Sequence, residues 1–221
     1  MKIYAINGSP RKNKNTVTLL QKALDGAKEA ALAKGIAEKD IETEMIHLYD
    51  HQYTGCRSCF ACKRLGSLSY GKCAIRDDIY ELLDKCSQAD ALIFGSPVYF
   101  ADISGQMKSF LERLLFQYFV YDMDYSSIAP KKMKTAFIYS MNVPEATMKE
   151  LDYLSVLTKM HFFIEKVFTK PEVLYACDTY QFDDYSKYKV ECFNEADKAK
   201  ARDTLFPTYC QNAFDIGAKL V

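Results

Sequence analysis

A chain of 221 residues with 49% hydrophobic content can bury one α/β core with insertions, and residues 1–221 are expected to form a single domain. Lys plus Arg and Asp plus Glu each number 29, which excludes a net field selecting nucleic acid, an anionic membrane or a strongly charged partner. No run approaches the ~18 apolar residues of a membrane span, and the first apolar stretch ends too early for a signal peptide, so a cytoplasmic location is expected. In a reducing compartment eight cysteines argue for metal or redox roles over a disulfide framework.

Residues 2–6 are β-prone and stop at the turn-forming Asn7-Gly8-Ser9-Pro10. Val17, Leu20, Ala23, Leu24 and Ala27 then recur at helical spacing to about Gly35, behind Asn15 and Thr16 as candidate N-caps. Residues 41–48 alternate as a second strand, and the cysteine loop 55–76 follows. Asp78 with Glu81 reads as a capping box opening the next helix. The apolar run at 91–94 has the continuity of a parallel strand covered on both faces. A helix over 104–117, a strand over 135–139, a helix over 145–165, a strand at 173–175 and a closing helix over 195–219 complete the pattern. Strand-helix alternation at this spacing predicts a doubly wound five-stranded parallel sheet with helices on both faces. The segments 118–133 and 177–193 are insertions rich in Tyr, Phe and Asp that read as lids, subunit contacts or ordered loops.

Cys56, Cys59 and Cys62 at two-residue intervals, with Cys73 after ten further residues, read as a ligand set. Such spacing brings successive thiolates to one centre, an iron-sulfur cluster or a tetrahedral zinc, and a thiol/disulfide role is the other reading. The longer return to Cys73 costs little, because loop closure rises only logarithmically with length. Cys86, Cys177, Cys192 and Cys210 are scattered and read as small apolar residues in partly buried positions.

Ligands of open α/β sheets bind off the carboxyl ends of the strands. After the first strand, residues 7–16 supply hydroxyls, backbone N–H groups, Arg11 and a helix N-terminus, a combination that encloses a phosphate. Neither a Walker loop nor Gly-x-Gly-x-x-Gly is present, which disfavours nucleoside triphosphates. Pro97-Val98-Tyr99-Phe100 sets a turn and two aromatic rings where a planar ring can lie, and Ser140-Met141-Asn142 offers polar contacts to its edge. A phosphate together with a flat heteroaromatic ring describes FMN.

Three ordered motifs carry a resemblance over about residues 1–140: Gly8-Ser9-Pro10-Arg11 with Asn15-Thr16; the cysteine loop ending in Gly71-Lys72-Cys73 and Asp77-Asp78; and Gly95-Ser96-Pro97-Val98-Tyr99 followed by Gly105-Gln106-Met107-Lys108 and Glu112-Arg113. The chain resembles the NAD(P)H-dependent FMN reductase family of flavodoxin-like proteins, and within it the iron-sulfur flavoproteins. The resemblance implies strand order 2-1-3-4-5, an FMN phosphate held by Ser9, Arg11, Asn13, Asn15 and Thr16, and an isoalloxazine ring against Pro97, Val98, Tyr99 and Phe100. It also implies a homodimer or homotetramer in which a neighbour helps cover the flavin. In that family the cysteines hold a [4Fe-4S] cluster closer together in sequence than here.

The expected activity is hydride transfer from NAD(P)H to flavin N5, then electron transfer to a small acceptor such as a quinone or a flavin, or through the cysteine-bound centre to a ferredoxin-type protein. The flavin carries the chemistry, so no catalytic acid, base or nucleophile is assigned. His47, His51 and His161 form no evident pair and read as structural. The competing readings are a non-enzymatic electron carrier and a flavin-binding module whose cysteine loop holds structural zinc.

Overall fold

In the computed structural model, which describes all 221 residues, the first strand β1 (Lys2–Asn7) is buried along its whole length after Lys2. It pairs in parallel with β2 (Glu42–His47) on one side and with β3 (Ala91–Tyr99) on the other. A short antiparallel strand, β4 (Asp102–Ile103), folds back on the end of β3. The sheet continues in parallel through β5 (Lys134–Ser140) and β6 (Glu172–Ala176), in the order β2-β1-β3-β5-β6. Counted by the parallel strands alone, this is the expected flavodoxin-like order. The two-residue β4 is the addition that the sequence reading lacked.

Strand alternation divides the interior into two unequal halves. Ile3, Ala5, Ala91, Ile93, Ala136 and Ile138 face the helices α1 (Asn15–Ala33) and α7 (Phe206–Lys219). The small residues on this face bring both helices close to the sheet and to one another. A Cβ on Gly26 would lie 2.0 Å from the Phe214 carbonyl oxygen, and one on Gly217 would lie 1.8 Å from that of Ala23. The opposite face carries Tyr4, Phe94, Phe137 and Tyr139 under α2 (Tyr80–Ser87), α3 (Gly105–Phe116) and α5 (Tyr153–Val167). Phe137, Tyr139 and Tyr175 stack there at centroid spacings of 4.3 and 5.1 Å.

Several local expectations are corrected. The residue preceding α1 is Lys14, and neither Asn15 nor Thr16 caps it. The Asn15 side chain donates instead to the Tyr180 carbonyl at 2.9 Å, and the Thr16 hydroxyl meets that of Ser140 at 2.7 Å. Asp78 does not close a capping box, because its carboxylate accepts from the Gln52 backbone at 2.7 Å. The helix expected over 145–165 breaks into α4 (Glu145–Glu150) and α5 at Asp152, which holds φ 50°. The closing helix divides into α6 (Glu195–Thr204) and α7, because Pro207 near the start of α7 cannot continue the α6 hydrogen-bond ladder.

His161 is half-buried on α5 with Nε2 2.7 Å from the Tyr139 hydroxyl, and burial pushes its pKa down to about 4. The unfolded chain binds that proton near pH 6.5 and the folded one does not, so stability falls as pH drops from about 6.5 to about 4. After discounting for solvent access the loss is about 2 kcal/mol. Thermal unfolding of His161→Gln across this range is expected to show a shallower fall than wild type; equal slopes would contradict the assignment.

Candidate functional site

The loop after β1 is shaped by its own side chains. Asn7 Oδ1 accepts from the Ser9 backbone at 3.0 Å and Ser9 Oγ from the Arg11 backbone at 3.2 Å, two successive side-chain turns that reverse the chain. Gly8 lies against the sheet, donating to the Gly95 carbonyl at 2.8 Å, where a Cβ would come within 2.8 Å of Met107 Cβ. Ser104 ties this loop to the next motif: its hydroxyl donates to the Gly8 carbonyl at 2.7 Å and accepts from Met107 N, capping α3.

A crevice of about 220 Å³ opens at the carboxyl ends of β1, β3 and β5. Of the residues assigned to the cofactor, Ser9, Arg11, Asn15, Thr16, Pro97, Val98, Tyr99, Phe100, Ser140, Met141 and Asn142 line it. Asn13 does not, and is exposed. No side chain caps the N-terminus of α1 and no acidic residue occupies its first turn, so the positive end of a 19-residue helix points at the crevice beside Arg11 and Lys14. This fits a phosphate monoester.

Thr179 and Gln181, from the 177–193 insertion, complete the wall. Arg11 Nη1 donates to the Gln181 carbonyl at 2.7 Å, Asn142 Nδ2 to Gln181 Oε1 at 2.7 Å, and Lys14 pairs with Asp183. The insertion therefore lies on the loop that would hold the phosphate. Sequence reasoning missed Lys14, Thr179 and Gln181; the signal for the last two was the insertion's position after the final strand.

Pro97 and Tyr99 were expected in a turn, but both belong to β3, and the turn is the hairpin tip Phe100-Ala101. Both tip residues hold positive φ, 50° and 66°, as a two-residue hairpin loop requires and as non-glycine residues resist. Phe100 projects from this tip fully exposed, at 105% of its reference area. Backbone strain held beside a crevice is characteristic of ligand clamps. Ala101→Gly is expected to raise stability to denaturant by about 1 kcal/mol; a lower stability would contradict the strain.

Cys56, Cys59, Cys62 and Cys73 all line a second, small cavity of about 20 Å³ together with Arg113, Phe116 and Gln117. All are free thiols, and no three metal-ligating side chains stand at coordinating spacing, so the loop would have to adjust around a bound centre. Ser58 and Phe60, between the first three thiols, hold φ 51° and 55°. Burial pushes the Cys62 thiol up, with Lys63 opposing.

The cavity's opposite wall is α3. Glu112 accepts from Cys56 N at 3.2 Å and Gln117 Oε1 from Cys73 N at 2.9 Å. Arg113, with a fully buried side chain, donates to Asp77 at 2.5 Å and to the Thr54 and Ile75 carbonyls at 3.3 and 3.1 Å. Burial lowers its pKa, but Asp77 and Cys73 outweigh this and hold the guanidinium charged. Lys63 closes the C-terminal end of α3 on the Phe116 and Phe119 carbonyls. Buried side-chain polar atoms without a hydrogen-bond partner number three in the chain: Asp77 Oδ1, Arg113 Nε and Gln117 Nε2. Two are donors on residues lining the cysteine cavity, so four thiols and spare N–H donors fit an anionic, sulfur-rich centre.

Of the other cysteines, Cys86 and Cys177 are buried and Cys210 half-buried as expected, whereas Cys192 is exposed.

Comparison with known proteins adds to this geometry. An iron-sulfur flavoprotein of Methanocaldococcus jannaschii is 42% identical over 113 residues, 51% of each chain. One from Archaeoglobus fulgidus is 37% identical over 113 residues, 51% of this chain and 48% of that protein. The chain thus spans about half the length of the curated relatives it matches. An NAD(P)H:quinone oxidoreductase from Methanothermobacter marburgensis superposes with a TM-score of 0.63 at 15% identity, over 100% of this chain and 96% of that one. An FMN-dependent NADH-azoreductase from Bacillus anthracis, solved with FMN, gives 0.63 at 11% identity over 98% and 100%. At these identities the two structures establish a shared fold. The family described as NADPH-dependent FMN reductase matches residues 1–163, nearly three quarters of the sequence, and the chain belongs to that family.

Proposed function

We propose that this protein is an FMN-dependent oxidoreductase that draws hydride from NAD(P)H and passes electrons to a small acceptor of the quinone or flavin class, or through a cysteine-bound iron-sulfur centre to a ferredoxin-type partner. The observation that carries this reading is the crevice itself, where an uncapped helix N-terminus with Arg11 and Lys14 faces an aromatic hairpin across a space about 220 Å³ in volume. FMN, when bound, supplies the hydride-accepting N5. The chain supplies the rest. Ser9, Arg11, Asn15 and Thr16 hold the phosphate, Pro97 to Phe100 position the ring, and Ser140 to Asn142 meet its edge.

The thiolates of Cys56, Cys59, Cys62 and Cys73 would hold the iron-sulfur centre, a reading supported by their common cavity and by the names of the related proteins. Eight free thiols fit a reducing, cytoplasmic setting. Fully exposed Phe100 above the crevice fits a homodimer or homotetramer in which a neighbour covers the ring.

Anaerobic protein loaded with FMN is expected to lose its flavin absorbance on mixing with NADH or NADPH. Reduction by a reduced ferredoxin-type protein but by neither nicotinamide would make the protein a carrier instead. Iron and sulfide analysis of the same sample tests the cysteine loop. Zinc without iron would assign it a structural role.

A further inference from the structure

The cysteine cavity holds an asymmetry that thiol ligation alone does not explain. Gln117 lines the cavity at 2% exposure, and its amide orientation is fixed: Oε1 receives the Cys73 N–H at 2.9 Å, so the NH₂ end is the one left without a partner. Arg113 is held as firmly. Its two terminal nitrogens bond Asp77, Thr54 and Ile75, which fixes the guanidinium plane and leaves Nε as the one guanidinium nitrogen with no partner. Buried N–H groups without a partner are rare, and these two stand one helical turn apart at the end of α3 on residues that line the cysteine cavity, where sulfur can accept from them. The third orphan, Asp77 Oδ1, belongs to the carboxylate already paired with Arg113 Nη1.

We infer that Arg113 Nε–H and Gln117 Nε2–H donate hydrogen bonds to the sulfurs of the centre held by Cys56, Cys59, Cys62 and Cys73, and thereby raise its reduction potential. This rests on the reading that those cysteines hold an iron-sulfur cluster. Reduction adds negative charge to the sulfurs, so a fixed donor strengthens on reduction and favours the reduced form. The same helix also receives the Cys56 and Cys73 backbones, so α3 both positions the ligands and sets their electrostatics. Arg113 and Gln117 are therefore positioning and tuning residues. Neither is assigned a part in hydride transfer.

Three variants of the full chain separate tuning from structure. Gln117→Met removes the donor without adding charge, Gln117→Glu removes it while keeping an acceptor for Cys73 N, and Arg113→Lys keeps a cation for Asp77 while removing Nε–H. Each is reconstituted anaerobically with iron and sulfide, analysed for both, and titrated by electron paramagnetic resonance at controlled potential. The expected result is wild-type iron content in Gln117→Glu and Arg113→Lys, with the cluster harder to reduce in all three. At fixed ambient potential the reduced-to-oxidised ratio should fall by roughly tenfold, or about 59 mV for a one-electron couple. Unchanged potentials at full iron content would overturn the tuning role while leaving the cluster reading intact. A wild-type protein that takes up no iron would overturn both. Should Gln117→Met fail to load, Arg113→Lys carries the test, because the carboxylate in Gln117→Glu disfavours reduction by its charge as well.

Discussion

Arg113→Met is expected to destabilise the protein by about 3 kcal/mol, the cost of leaving half-buried Asp77 without its cation and two backbone carbonyls without a donor. Wild-type Arg113 satisfies Asp77 and two backbone carbonyls from inside the protein, and those carbonyls belong to the segments that begin and end the cysteine loop. Its loss therefore frees Thr54 and Ile75 together and exposes the loop between them. Limited proteolysis should cut within residues 55–75 in the variant well before it cuts wild type, and urea unfolding should shift to lower midpoint. Adding Asp77→Leu should recover part of the stability, because the uncompensated carboxylate is removed while the two carbonyls stay unpaired. A single variant as stable as wild type would show that the ion pair does not hold the loop.

Arg11→Glu is expected to weaken FMN binding roughly a hundredfold, because it replaces a charge-assisted donor to phosphate with a repelling carboxylate. Arg11 is exposed, so the effect should shrink as salt is raised. Its guanidinium rests on the Gln181 carbonyl, an acceptor with which a bound phosphate would compete. Equilibrium titration at two ionic strengths measures both effects. Unaltered affinity would remove Arg11 from the phosphate site.

The crossover fold was legible because its signals are local. Continuous apolar runs such as 91–94, amphipathic spacing in 17–31 and polar turns after each strand follow from chain periodicity and imply a parallel, doubly wound sheet, while its strand order was implied by the family resemblance. Helix boundaries were less legible where a side chain has two partners to choose from. Asn15, Thr16 and Asp78 are good caps, yet each is drawn to a tertiary partner: Tyr180, Ser140 and Gln52. The break at Asp152 carries no glycine or proline to announce it, whereas Pro207 marks the break at Leu205 in the sequence itself.

Among the site residues, those flanking a strand end were placed together, because the sheet brings all strand ends to one edge. Lys14, Thr179 and Gln181 were missed because the last two reach the crevice through a long insertion whose path no periodicity records. Glu112 and Arg113 were noted as part of a motif, but their task, holding the cysteine loop from α3, is visible only when residues 54–77 fold against that helix. Gln117 gave no signal at all. Its meaning lies in one fixed amide and one vacant donor.

The most direct measurement of the account is the fluorescence of FMN and of riboflavin titrated with the purified, flavin-free protein. A site built from a helix N-terminus, Arg11 and an aromatic hairpin predicts saturable quenching of FMN at micromolar protein or below, with riboflavin bound at least roughly tenfold more weakly for want of the phosphate. FMN that stays fluorescent, or riboflavin that binds equally well, would contradict it.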